Sequence, residues 1–526
     1  MAALAFLLAF GFVAPLPRLR AFGAPQGTEP ASDRGAPPSF QLDSTTYVGR
    51  LTTGCERVGL AGTDLGVSFE AGGRLVFLFG DSWTLDRKDW DADSVAFARL
   101  GPLGDEGPAP LTWLTRDGKR FFPLAPKSMQ LGGMNVPVEG FAVGDRTYVF
   151  FDGGWDAQRG VHSHSILAHT RKLEFAELEL DHSVASAKFL NVSVARDGAD
   201  LWIFGTGTYR KSAIYLARVP VSEVGNRAKW RYWPALDAPG KEEDAQPIVA
   251  TNSAGELSVR RVGADGPWFL AYNSADPRGI VLHAARDPRG PWSAPLVIFD
   301  PERDRGYGYF LHRKTSAAGF DDGLSEPGRE EDFGGEYGPY LVPRWSSETE
   351  AGVELVYTLS SWNPYQVHVL RTRLTRPGGA WTAPRVRTPS AGSSLANADF
   401  ATGTLERWTA EGDAFALARR PDGAWELTTY VKPLGDAVRG RLHQEFTVPR
   451  DARLLRGFVK GGTESVRLMR GDEVLRETRG PRTNDRELEL RWMLEPYRGE
   501  RLRLEVRDDS TDRWGFVTVR GLALES

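Results

Sequence analysis

The feature that most constrains this chain is a short apolar strand, closed by a polar residue, that occurs five times. The copies are Val76-Phe-Leu-Phe-Gly-Asp81, Thr147-Tyr-Val-Phe-Phe-Asp152, Leu201-Trp-Ile-Phe-Gly-Thr206, Trp268-Phe-Leu-Ala-Tyr-Asn273 and Leu355-Val-Tyr-Thr-Leu-Ser360. Such runs, rich in aromatic and β-branched residues, read as buried strands. A strand precedes each of them: 64–69, 139–143, 191–195, 256–260 and 337–343. A third strand follows each and ends in Arg99, Arg171, Arg218, Arg286 or Arg371, which reads as a rim of arginines tying neighbouring sheets. A fourth segment carries Trp113, Phe175, Trp230, Trp292 or Trp381, read as packing between units. Five four-stranded units describe an all-β five-bladed β-propeller over 41–390.

The 526 residues leave room for a second domain. From residue 391 to 526 alternating strands such as Leu442-His-Gln-Glu-Phe-Thr-Val predict a β-sandwich of the jelly-roll, galactose-binding-like kind. Residues 300–335, charged and glycine-rich, read as a surface loop. The net charge of −4 carries no basic block, so nucleic acid is excluded as a partner. Cys55 is the only cysteine and reads as a buried apolar residue, with no disulfide to form. Residues 2–16 are continuously apolar, the length of a signal-peptide core and too short for a membrane span, although no basic residue precedes them. The expectation is a signal peptide over 1–24, a flexible linker over 25–40, no transmembrane span in the mature chain, and a secreted or cell-envelope monomer.

Gly72-Gly73 is a hairpin turn, so Asp64 and Asp81 come to the same end of the first unit. In a propeller the starts of the first strands and the ends of the second open on one face. There stand Asp64, Glu139, Asn191, Glu256 and Tyr337, joined by Asp81, Asp152, Thr206, Asn273 and Ser360. Carboxyl groups crowded into one site raise some pKa values and leave others ionised, which supplies an acid and a base. Asp64 and Asp81 are the expected catalytic pair. Glu139, Asp152, Asn191, Glu256, Asn273, Tyr337 and Trp362 are the expected binding or helper residues. Singly, each acid has a plain reading: Asp81 and Asp152 as turn residues, Glu256 as an exposed strand start. The same oxygens suit a structural Ca²⁺, but no cofactor is required and no metal ligand set is assigned. His162 and His164 lack a third ligand and read as solvated loop histidines; His283 and His312 are isolated. No phosphate loop and no Gly-Xaa-Ser-Xaa-Gly is present.

Gly62-Thr-Asp64-Leu-Gly, Phe79-Gly-Asp81, Gly255-Glu-Leu-Ser, Gly290-Pro-Trp-Ser, Tyr337-Gly-Pro-Tyr-Leu and Tyr357-Thr-Leu-Ser-Ser-Trp-Asn-Pro-Tyr365 together resemble the propeller family known as domain of unknown function 4185, which includes endo-D-arabinanases. The resemblance covers about residues 45–390. It implies a five-bladed propeller, an acidic pair at Asp64 and Asp81, and a polysaccharide or oligosaccharide partner. The second domain resembles sandwich modules appended to glycosidases, but carries Arg520 where such modules often have Asp. The expected function is a secreted glycoside hydrolase, with water as nucleophile if the carboxyls stand about 6.5–9.5 Å apart. The alternatives are a non-catalytic carbohydrate-binding propeller and a cell-surface adhesion protein.

Overall fold

The computed structural model describes residues 34–104, 107–127, 131–158, 161–184, 187–381 and 395–526. The expected signal peptide, most of the expected linker, and the boundary at 390 lie outside the described residues. The first sheet comprises Leu60–Ala71, Arg74–Thr84, Ala92–Arg99 and Thr112–Trp113. The second comprises Val136–Val143, Arg146–Gly153, His164–Arg171 and Glu179–Val184; the third, Asn191–Asp197, Asp200–Thr206, Ser212–Pro220 and Arg231–Tyr232. The fourth runs Pro247–Arg261, Trp268–Ala275, Arg278–Ala285 and Leu296–Phe299, and Ser212–Pro220 pairs with Pro247–Arg261, so the third and fourth units are hydrogen-bonded into one eight-stranded sheet. The innermost strands touch in succession, and that of the fifth sheet touches that of the first, so the sheets close a ring as five blades.

The fifth blade differs from its sequence-based outline. Its inner three strands are Glu336–Leu341, Gly352–Ser361 and Gln366–Thr375, but its outer strand is Gln41–Arg50, paired antiparallel to Gln366–Thr375. Trp381 lies outside any strand. Pairing the first strand of the chain with the last blade covers an edge that would otherwise expose unpaired backbone groups. Residues 34–40 are accordingly held rather than free: Arg34 donates to the Arg289 carbonyl at 2.9 Å, and Phe40 packs on Phe269.

Trp230 and Phe175 are buried between blades, Trp230 against Phe150 and Phe175 against Phe97. Three of the five third-strand arginines do not tie blades together as expected, whereas Arg286 of the fourth blade donates to the Ala36 carbonyl ahead of the fifth blade's outer strand. Arg171 pairs with Asp145 and Arg371 with Glu354, each inside its own blade, and Arg218 reaches Asp237 in the following turn. Cys55 is buried.

Residues 395–526 form two five-stranded antiparallel sheets facing one core. One sheet is ordered Thr409–Gly412, Gly440–Thr447, Arg501–Asp508, Ser465–Arg470, Glu473–Arg479. The other is ordered Ala416–Arg419, Trp425–Thr428, Val517–Glu525, Leu454–Gly461, Thr483–Met493. Phe400, Phe446, Trp492 and Val519 fill the space between them. Arg520 pairs with Glu487 and covers the Phe458 ring at 4.2 Å.

The segment 300–335 is not a surface loop. Phe310, Leu311, His312, Asp321 and Asp322 are buried. The Asp321 amide donates to the Glu489 carbonyl, the Arg491 amide donates back to Asp321, and the Glu477 amide donates to Gly323. The segment thus joins propeller to sandwich by main-chain hydrogen bonds. His312, expected to be isolated, is hydrogen-bonded through Nδ1 to Asp322 Oδ1 at 2.7 Å. Among the described residues, no helix is long and apolar enough to cross a membrane.

Candidate active site

The first hairpin supplies the site because it is irregular at its open end. Its turn is formed by Gly72 and Gly73 at φ +55° and +72°, joining Ala71 to Arg74. At the other end the register shifts between Gly62 and Asp64, and Asp64 lies opposite Gly80. Asp81 sits in the bulge at φ +33°, a backbone conformation that costs a non-glycine residue on the order of 1–2 kcal/mol. Gly80 has no room for a side chain. A Cβ there would stand 2.5 Å from Val136 Cγ1 and 2.9 Å from Asp64 Oδ1.

Asp64 is buried, and its Oδ2 accepts a hydrogen bond from the Tyr337 hydroxyl at 2.8 Å. Burial pushes its carboxyl up to about 6, opposed by hydrogen bonds from Tyr365 and Tyr337 and reinforced by the charge of Glu256. Glu256 takes the opposite state. Burial alone would raise it, but the Arg210 guanidinium at 3.0 Å and the Tyr209 hydroxyl at 2.9 Å outweigh burial and hold the carboxylate below its usual range. Arg210 also lies over the Tyr337 ring, 5.2 Å from its centre. The sequence Glu256, Arg210, Tyr337, Asp64 is therefore a continuous chain of contacts between one ionised and one proton-holding carboxyl.

Asp81 stands beside Asp64. Burial, then the charges of Asp64, Asp91 and Asp152, push its carboxyl well up. Asp91 accepts from the Met134 amide at 2.7 Å. Asp93 is buried next to this pair and is likewise pushed well up, by burial and then by Asp81 and Asp152. Asp152 is raised by burial to about 6, moderated by His162, whose Nδ1 is 3.4 Å from Oδ2. The far nitrogen of His162 donates to the Met134 carbonyl at 2.8 Å. His162 therefore belongs to the site and is not a solvated loop residue.

Two aromatic groups flank the carboxyls. On one side Trp155 packs against His162 and Tyr209. On the other, Trp83, Trp362 and Tyr365 form a cluster with the Arg329 guanidinium 5.2 Å from Trp83 and 4.8 Å from Trp362. Asn191 begins its strand and Asn273 lies two residues before the end of its own, both buried, with amide oxygens that find no partner among the described residues. Among the described residues, no group of three or more His, Cys, Asp or Glu is arranged to hold a metal ion.

Glu139 does not join this set. Its counterpart at the mouth is Val136, which pairs with Asp152, whereas Glu139 pairs with Phe150 deeper in the blade. There it forms a two-pronged ion pair with Arg260 at 2.8 and 2.9 Å and accepts from Ser193 Oγ and the Val194 amide. Arg260 also reaches the carbonyls of Ser68, Val194 and Val259, so the pair ties the inner strands of four blades. The residues that sequence reasoning missed are Asp91, Asp93, Tyr209, Arg210 and Tyr365. Their one sequence signal was proximity to the strand ends already singled out, such as Asp91 and Asp93 ten and twelve residues after Asp81.

The sequence profile described as domain of unknown function, DUF4185, matches residues 52–371. The chain belongs to the DUF4185 family. Notoamide biosynthesis cluster protein J of an Aspergillus species is 28% identical in an alignment of 297 residues that covers 50% of this chain and 78% of the relative. Among solved structures, the chain is similar to the exo-β-1,3-galactanase of Phanerochaete chrysosporium. That match is 10% identical, with a TM-score of 0.39, and covers 88% of this chain and 96% of the other. It is also similar to an α-L-arabinofuranosidase of Podospora anserina, at 9% identity and a TM-score of 0.36, covering 65% of this chain and 99% of the other.

Proposed function

We propose that the protein is a glycoside hydrolase acting outside the cytoplasm on a polysaccharide of the D-arabinan type. One observation carries the reading: a single mouth holds a buried carboxyl raised to about 6, Asp64, and a second carboxyl held ionised by Arg210, Glu256. Two carboxyls driven to opposite protonation states are the equipment for protonating a leaving glycosidic oxygen while activating water. Asp64 serves as the acid and Glu256 as the base. Asp81, the partner first expected for Asp64, is driven toward its protonated form by burial and by the charges of Asp64, Asp91 and Asp152. Tyr337 orients Asp64, and Trp155 and Trp362 offer aromatic surface to sugar rings.

The test is release of reducing ends from arabinogalactan, lipoarabinomannan, galactan and xylan. Wild type is expected to release oligosaccharides from at least one. Asp64→Asn and Glu256→Gln are each expected to slow this by about 10²–10⁴-fold. No product on any glycan removes the hydrolase reading, and full activity in both variants removes the residue assignment.

A further inference from the structure

Away from the mouth, a cleft of about 620 Å³ opens between the fifth blade and the sandwich. Ligand sites fall between about 300 and 1,000 Å³ and favour domain junctions. The cleft has one rigid aromatic surface. Tyr47 stacks one face on Phe310, with centres 4.9 Å apart, and its hydroxyl reaches His368 Nδ1 at 3.4 Å, yet the residue stays 38% exposed. The ring is thus held in place before any ligand arrives.

The rim is charged but balanced. Glu473 pairs with Arg50 at 2.7 Å and with Arg470 at 2.9 Å, and Arg470 extends to Glu500 at 3.3 Å. These pairs fix planar donors and acceptors and leave no surplus charge to select an anion. Behind them Arg476 is buried and bonded to the Tyr497 hydroxyl and the carbonyls of Gly308 and Tyr309, while its Nε finds no partner among the described residues. A flat ring beside fixed, neutral-sum hydrogen-bonding groups suits an uncharged, hydroxyl-rich ligand.

We infer that this cleft is a second glycan-binding site, which holds a neutral oligosaccharide segment by stacking on Tyr47 and by hydroxyl hydrogen bonds to the Arg470–Glu473 rim. The inference rests on the reading of the mouth as a glycan site, and it makes the two sites neighbours on one polymer. Ser325 and Pro364 line the cleft, while of the residues bonded to them in the chain Tyr365 belongs to the aromatic wall of the mouth and Glu326 pairs with Arg329, which lies over that wall. A polymer anchored in the cleft is presented to the mouth at high local concentration.

Affinity electrophoresis of the full chain through gels containing soluble arabinogalactan, galactan or xylan tests this directly. Wild type is expected to be retarded by at least one. The double variant Asp64→Asn/Glu256→Gln keeps that retardation, Tyr47→Phe keeps most of it, and Tyr47→Ala/Arg470→Ala weakens it by about tenfold or more. If a melt shows Tyr47→Ala to be unfolded, Arg470→Ala on the exposed rim carries the same expectation. Retardation by none of the gels, or retardation indifferent to both cleft variants, overturns the inference. Product release is scored separately. Product without retardation removes the cleft and leaves hydrolysis standing. Retardation lost on Tyr47→Ala, with no product from wild type, does the reverse.

Discussion

Replacing Glu139 by Gln should cost stability and leave the chemistry alone. Glu139 is 1% exposed, and its two oxygens accept five hydrogen bonds: two from Arg260 and one each from Gly140, Ser193 and Val194. A glutamine fills the same volume but removes the charge and turns an NH₂ group against donors. Breaking one partner of a buried pair costs about 3–5 kcal/mol, because the other charge is left uncompensated. Arg260 keeps three carbonyl partners here, which places the loss at the lower end, about 3 kcal/mol. At about 2 °C per kcal/mol for a domain of this size, the Tm should fall by about 6 °C. Thermal melts followed by circular dichroism give the shift, and product release at a temperature where both proteins are folded gives the activity. Removing both charges together, as in Glu139→Leu/Arg260→Met, should return most of the loss. An unchanged Tm, or lost turnover at an unchanged Tm, would refute the assignment of Glu139 as a tie between blades.

Three further outcomes follow from the same geometry. Asp321, buried between insertion and sandwich, is raised from 3.8 to about 7 by burial and then by Asp322. The folded state therefore binds this proton more tightly than the unfolded one, so the stability contributed by Asp321 is fully present below pH 4 and is lost as pH rises to 7, by up to about 4 kcal/mol. Asp321→Asn, which keeps the acceptor for the Gly323 amide, should melt higher than wild type at pH 8 and at the same temperature at pH 4. Gly80→Ala should displace Asp64, and a misplacement of that size lowers kcat by about 10²-fold. Tyr337→Phe removes a hydrogen bond that favours the ionised form of Asp64. The alkaline limb of the pH–rate profile should then rise by about one unit.

What the sequence made legible was the local grammar. The five apolar strands, the Gly72-Gly73 turn and the end-to-end neighbourhood of Asp64 and Asp81 depend on contacts within one hairpin. What it hid depends on register and on contacts between distant segments. Glu139 begins its apolar run much as Asp64 does, but a register shift between Pro137 and Glu139 moves it inward, to a place opposite Phe150. Arg210 enters the mouth from a turn at φ +54°, and no strand pattern points to it. The outer strand Gln41–Arg50 carries alternating exposed and half-buried residues rather than a buried run, so its pairing partner 325 residues away left no local trace. The insertion looked solvent-bound because its charges are many; several of them, Asp321, Asp322 and Glu326 among them, are buried or paired.

In the proposed reaction Asp64 works protonated and Glu256 ionised in one mouth. The pH dependence of kcat/KM for product release from a responsive glycan tests it most directly. With Asp64 required as an acid, the rate is lost as pH rises through about 6. With Glu256 required as a base and held below its usual range, the rate is lost only below pH 4.5. A maximum is expected between these values, and the alkaline limb should disappear from the residual activity of Asp64→Asn. A rate that climbs through pH 6 to 8, or an alkaline limb that persists in Asp64→Asn, would contradict it.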